Sequence, residues 1–254
     1  MNDLRHPTGT PGGADPAEVA RFAAQATRWW DADGEAKPLH RINPTRLQFI
    51  RDRLVAHFGH DGKLLAPFGG LSLLDIGSGA GLVAEPMARL GFAVTGIDAS
   101  QDMIDVARAH AEAGGLVIDY RAATADTLVE ERKRFDAVLA LEVVEHVPDP
   151  DAFLAAAARL VAPGGALILS TFNRTPRAFL LGIVAAERVL GWVPAGTHDW
   201  RRFRRPSELA AALRRAGLRI EALSGMSYDP VRDHWRLTDD IAVNYLLMAT
   251  HPPR

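Results

Sequence analysis

The chain has 254 residues, 48% of them hydrophobic, and a formal net charge of −2, which suits one large domain or a domain with a cap and offers no global field to draw in nucleic acid. It has no cysteine, which excludes disulfides, thiolate metal sites and cysteine nucleophiles and fits a reducing compartment. The N-terminus lacks the apolar core of a secretory signal, and the longest apolar run, 178–186, falls far short of the roughly 20 residues that span a bilayer, so a cytoplasmic protein is expected.

Residues 1–15, rich in Gly, Pro and Thr, read as a disordered tail, with residues 16–254 as a single domain. Behind Asp15 as N-cap, 16–30 repeats Val19, Phe22, Ala23, Ala26 and Trp30 at helical spacing. Pro44 is expected to open a second helix with Leu47, Ile50, Leu54 and Phe58 on one face, so a helical cap over 16–60 precedes the first strand. Leu71, Leu73, Leu74 and Ile76 then form a buried strand. Helices over 82–90 and 101–113, the latter capped by Ser100, alternate with strands at 93–97, 117–121 and 135–141. A helix over 151–161, a Pro163-Gly164-Gly165 turn and a strand over 166–172 continue the rhythm.

Residues 174–205 break it: 177–193 has helical period but is apolar over much of its surface, and a charged, aromatic loop follows. A helix over 206–216 and strands at 218–223 and 244–250 close the chain. Strands that are apolar throughout, alternating with helices, call for a mainly parallel sheet covered on both faces, an α/β fold. The connection over 226–243 carries no helix signal, so the last two strands are expected to be antiparallel neighbours.

Gly77, Gly79 and Gly81 alternate directly after the first strand, where glycine lets backbone approach a nucleotide closely. Asp98 ends the second strand, about where an acidic group meets ribose hydroxyls in a βαβ unit. The spacing is G-x-G-x-G with Asp75 two residues earlier, not the G-x-G-x-x-G of dinucleotide folds. Glu142, Glu145 and His146 cluster at the carboxyl end of the fourth strand, where ligands of open α/β sheets sit. They suit either a His base, a carboxylate-held divalent cation, or simply a loop cap with His146 bonded to backbone.

Asp75, the three glycines, Asp98 and the strand running into EVVEHVPDP together resemble the class I S-adenosylmethionine-dependent methyltransferases. The resemblance implies a Rossmann-like seven-stranded sheet with a reversed last strand. It further implies Asp98 on both ribose hydroxyls, the glycine loop beside the methionine and ribose parts, and Leu141 against the adenosine. TRWWDADGEAKPLHRINPTRLQFI (27–50), FNRTPRAFL (172–180), GTHDWRRFRRPSEL (196–209) and VNYLL are similar to the O-methyltransferase family of ubiquinone biosynthesis. That similarity implies a cofactor contact from Arg46, and it matches Glu142, Glu145 and His146 to a Mg²⁺ triad of the mitochondrial relatives. It implies as partners a polyprenylated phenol or catechol substrate and other ubiquinone-biosynthesis proteins.

In the insertion, Phe179, Leu180, Ile183, Val184, Leu190, Trp192 and Val193 form an apolar face edged by Arg174, Arg177, Arg201, Arg202, Arg204 and Arg205. Such a face suits either a lid packed on the core or a helix lying in an anionic membrane surface, which would associate the protein peripherally with the inner face of the membrane.

Overall fold

The computed structural model describes residues 15, 19–20, 23, 26–34, 36–181 and 199–252. Of the tail expected over 1–15, all but Asp15 lies outside the described residues, as does the central part of the insertion, 182–198.

Eight strands form one sheet: β1 (Ser72–Ile76), β2 (Ala93–Asp98), β3 (Asp119–Ala122), β4 (Phe135–Leu141), β5 (Val161–Phe172), β6 (Arg219–Asp229), β7 (His234–Thr238) and β8 (Asn244–Thr250). Their order is β3-β2-β1-β4-β5-β8-β6-β7. The pairs from β3 through β5 are parallel, whereas β8 lies antiparallel between β5 and β6. The reversed final strand and its antiparallel pairing with β6 are as the sequence predicts. The eighth strand, β7, is not. It forms a hairpin with β6 inside the segment read as an unstructured connection; its short, polar HWRLT alternates weakly, and its burial comes from a helix laid over it.

Among the described residues, six helices of six residues or more cover the sheet: α1 (Lys37–Phe58), α2 (Ala84–Arg89), α3 (Gln101–Ala113), α4 (Ala125–Glu130), α5 (Pro150–Arg159) and α6 (Pro206–Arg215). Because strand side chains alternate between faces, Leu73, Leu139, Ile168 and Met248 meet α1, α2 and α3, while Leu74, Val138, Leu169 and Leu247 meet α4, α5 and α6. Burying one such leucine stabilises the fold by about 2 kcal/mol.

Several boundaries differ from expectation. Helix α1 begins at Lys37, with Pro38 in its first turn and Pro44 in its interior. Proline is tolerated at a helix start because no amide is needed there, and at Pro44 the packing of Ile42, Phe49, Ile50 and Leu54 outweighs the one lost bond. The helix expected through Trp30 tightens into a 3-10 turn at Ala26–Arg28 and ends in a turn at Trp29 and Trp30. β3 starts two residues later than read, leaving Val117 95% exposed. Pro163-Gly164-Gly165 lies within the long β5, at an irregular stretch of its pairing with β4. The short α4, capped by the Thr124 hydroxyl, gives too little periodicity to read. Ser100 caps α3 as expected, accepting from the Met103 amide at 3.3 Å.

Strand order reverses between β1 and β4, and the crevice at their carboxyl ends is the place where an open α/β sheet binds a ligand.

Candidate active site

β1 delivers the chain into the loop 77–81, whose glycines have φ of +71°, +51° and +95° at Gly77, Gly79 and Gly81. The Gly77 and Ser78 amides donate to the Ile97 carbonyl at 2.8 and 2.9 Å, hanging the loop on the end of β2. The Gly79 amide donates to Asp98 Oδ2 at 3.0 Å, and the Ser100 amide to Oδ1 at 2.9 Å. Burial raises the Asp98 pKa while these amides pull it back down. Each oxygen still has a lone pair to accept a hydroxyl.

Two of the glycines are required by the protein itself. A Cβ at Gly77 would sit 2.6 Å from Val143 Cγ2, and one at Gly81 would run into the Tyr120 hydroxyl. At Gly79 the nearest atoms are those of the Trp29 ring, 3.6 Å away, so a side chain there would meet that ring at ordinary contact distance. Packing inside the protein is thus a second reason for glycine at Gly77 and Gly81. Tyr120 is the residue that sequence reading missed, and no local signal on β3 marks it.

Asp75 is buried beneath the loop, where it accepts from the Ala84 amide at the first turn of α2. Burial, and then the charge of Asp98, push its pKa up to about 7. Asp75 Oδ2 and Ser78 Oγ are buried without hydrogen-bond partners.

Across the crevice, β4 ends at the partly buried Leu141. Glu142 follows with φ of +57°, a conformation that costs a non-glycine residue about 1 kcal/mol and recurs at functional sites. Its amide donates to the Ser170 carbonyl at 3.0 Å. Its Oε1 accepts from Ser170 Oγ at 2.8 Å and pairs with Arg46 Nη2 at 2.9 Å. Arg46 reaches there from the buried face of α1. Glu145 is 3% exposed; Thr171 Oγ1 donates to its Oε2 at 2.8 Å, and Oε1 has no partner. Burial, then the Glu142 charge, push its pKa up to about 8, against the opposing pull of Thr171 and Arg46. His146 is half-buried in the turn after Glu145, its amide donating to the Val143 carbonyl at 2.9 Å.

Thus the structure brings Arg46, Glu142 and Glu145 into one charged cluster and places Asp75, Gly77, Gly79, Gly81 and Asp98 around the loop. Among the described residues no three His, Asp or Glu side chains converge as a metal ion requires. Glu142 is committed to Arg46 and Ser170 instead, and burial favours the protonated form of Glu145. Glu142, Glu145 and His146 as arranged do not fit Mg²⁺. The loop does fit a nucleoside, with the Asp98 carboxylate and a partnerless Ser78 hydroxyl beside it.

Comparison with known proteins places this geometry. Residues 39–223 match the family model described as a methyltransferase domain. The chain is 54% identical over 238 residues to the ubiquinone biosynthesis O-methyltransferase of Paramagnetospirillum magneticum, covering 94% of this chain and 95% of the relative. The chain belongs to the ubiquinone biosynthesis O-methyltransferase family. A second member, from Parvibaculum lavamentivorans, is 50% identical and covers 92% of this chain and 93% of its own. Solved methyltransferases share the family's fold at lower identity. Magnesium protoporphyrin IX methyltransferase from Synechocystis PCC 6803 with bound SAH is 21% identical, with a TM-score of 0.62 over 92% of this chain and 100% of that one. A possible histamine N-methyltransferase from Thermotoga maritima is 18% identical, with a TM-score of 0.60 over 93% and 99%.

Proposed function

We propose that this chain transfers a methyl group from S-adenosylmethionine to the phenolic or catechol hydroxyl of polyprenylated ubiquinone precursors, the two O-methylations of that pathway. The observation that carries the reading is the 54% identity over nearly the whole chain to a relative of that name, on a fold whose cofactor loop and acidic cluster flank one crevice.

S-adenosylmethionine supplies an electrophilic methyl group on a sulfonium, a leaving group that needs no protonation. The chain's own tasks are positioning and deprotonation. Asp98 takes the ribose hydroxyls, Gly79 gives the cofactor its approach, and Leu141 lies against the adenosine. Arg46 holds the negative end of the cofactor, with Glu142 fixing the guanidinium. His146 takes the phenolic proton, since a hydroxyl with a pKa of about 10 attacks far better as phenolate. Glu145, held by Thr171, lies buried in the turn that carries His146.

Residues 179–181 support membrane contact for the acceptor's sake. Phe179, Leu180 and Leu181 are 46%, 57% and 42% exposed, side by side at the mouth of the insertion. Among the flanking arginines, Arg174 pairs with Glu208, Arg177 with Asp240 and Arg202 with Asp15. Apolar contact rather than charge is therefore the main attraction, and partly exposed ion pairs worth under about 1 kcal/mol open readily toward anionic lipid. Among the described residues no helix is long and apolar enough to cross a membrane.

Purified protein incubated with S-adenosylmethionine and a prenylated demethylubiquinol should yield the O-methylated product. Tight S-adenosylhomocysteine binding with no product from that acceptor would overturn the acceptor assignment.

A further inference from the structure

The N-terminal segment ahead of α1 has contacts that the transfer chemistry leaves unused. Trp30 Nε1 donates to the Ala80 carbonyl of the glycine loop at 3.0 Å. The same indole lies flat on the His110 imidazole of α3, with centroids 3.5 Å apart and planes 6° apart. His110 Nδ1 lies 2.6 Å from Oε1 of Glu85, a buried residue in the first turn of α2. Two further bonds tie the same region: His40 Nε2 to the Trp29 carbonyl at 2.9 Å, and Asn43 Nδ2 to the Leu82 carbonyl at 2.8 Å. The Trp29 ring meanwhile covers Gly79, 3.6 Å from where a side chain would stand.

These contacts form a closed circuit. The loop leads into α2, α2 carries Glu85, Glu85 holds His110 on α3, His110 backs Trp30, and Trp30 returns to the loop at Ala80. A loop with three residues at positive φ has many conformations to lose, and a ligand that must order it binds more weakly than one that finds it ordered. The His110 side chain is 40% exposed, so the outer face of this stack meets solvent, while Trp29 and Trp30 pack inward on Ala26, Ala80 and Met103. Resting on the assignment of this loop to the cofactor, we propose that the Trp29–Trp30 turn is a latch over the S-adenosylmethionine site, with the Trp30–His110–Glu85 chain as its catch. Trp30 and His110 are then positioning residues: they hold the loop in binding shape, and the cofactor leaves only when the turn lifts.

The test uses the full chain and S-adenosylhomocysteine as probe, by calorimetry for affinity and stopped-flow for release. Trp30→Phe keeps an aromatic ring on His110 but loses the donor to Ala80; His110→Ala removes the stack and the Glu85 contact. Each variant should release the probe faster and bind it more weakly by about tenfold, as expected for one lost hydrogen bond or stack in a preorganised site. The loss should fall on the KM for S-adenosylmethionine rather than on kcat. A purely structural role would lower the unfolding midpoint and leave affinity alone, so folded variants with wild-type affinity and release rate overturn the latch. If His110→Ala fails to fold, Trp30→Phe decides alone. Asp98→Asn separates the two levels of argument: if it too binds normally, the cofactor assignment of the loop fails, whereas its loss of binding beside two unaffected latch variants defeats only the latch.

Discussion

Glu145→Gln puts the charged cluster to a direct test. In the folded protein Glu145 titrates near 8, against an ordinary value of 4.5, because burial and the neighbouring Glu142 charge disfavour its ionised form. Between those two pH values the native chain keeps a proton that the unfolded chain releases. The native state therefore binds more protons, and stability falls as pH rises through the window, then levels above about 8. At about 1.4 kcal/mol per unit, the wild-type protein loses on the order of 4 kcal/mol from this group between pH 5 and pH 9. Glutamine keeps the acceptor for Thr171 Oγ1, 2.8 Å away, and replaces the ionisable oxygen with an amide that stays neutral. The variant should match wild type near pH 5 and exceed it at pH 9, as read by urea unfolding at a series of pH values. Asp75, raised to about 7, adds its own slope to both proteins and cancels in the difference. Parallel stability curves for the two proteins from pH 5 to 9 would refute the claim that Glu145 is held neutral.

Arg46→Met removes the counter-cation of Glu142 and should destabilise the fold by about 3 kcal/mol in urea unfolding at pH 7 while weakening S-adenosylhomocysteine binding, because a largely buried carboxylate loses its neighbouring cation. Gly81→Ala, at φ +95° against the Tyr120 hydroxyl, should cost about 3 kcal/mol of stability; Gly79→Ala, at φ +51° with nothing closer than the Trp29 ring, should cost about 1 kcal/mol and appear mainly as lost probe affinity in calorimetry. Leu180→Asp combined with Leu181→Asp should abolish sedimentation with anionic liposomes and leave S-adenosylhomocysteine affinity within twofold of wild type.

What was legible in the chain was what neighbours in sequence decide. Apolar runs bounded by turns gave seven of the strands, Ser100 before an amphipathic run gave a cap, and an acidic residue closing the second strand gave Asp98. The β7 strand was illegible because its pairing with β6 and its cover by α1 come from tertiary structure, seen where Thr45 Oγ1 donates to the Trp235 carbonyl at 3.0 Å. Helix α1 was cut short on paper at Pro44 because a proline's local cost is visible in sequence and the packing that offsets it is not. Arg46 entered only through family resemblance; its partner Glu142 stands on another element, and no spacing rule links them.

The glycine loop shows that one motif can answer to two separate demands. Its φ values are a backbone requirement, but the lack of side chains at Gly77 and Gly81 is imposed by Val143 and Tyr120, residues of the protein's own interior. Val143 directly follows Glu142, so the packing that shapes the cofactor loop also fixes the turn that carries Glu142, Glu145 and His146. A substitution at Val143 should therefore disturb cofactor affinity and the charged cluster together, although it touches neither ligand.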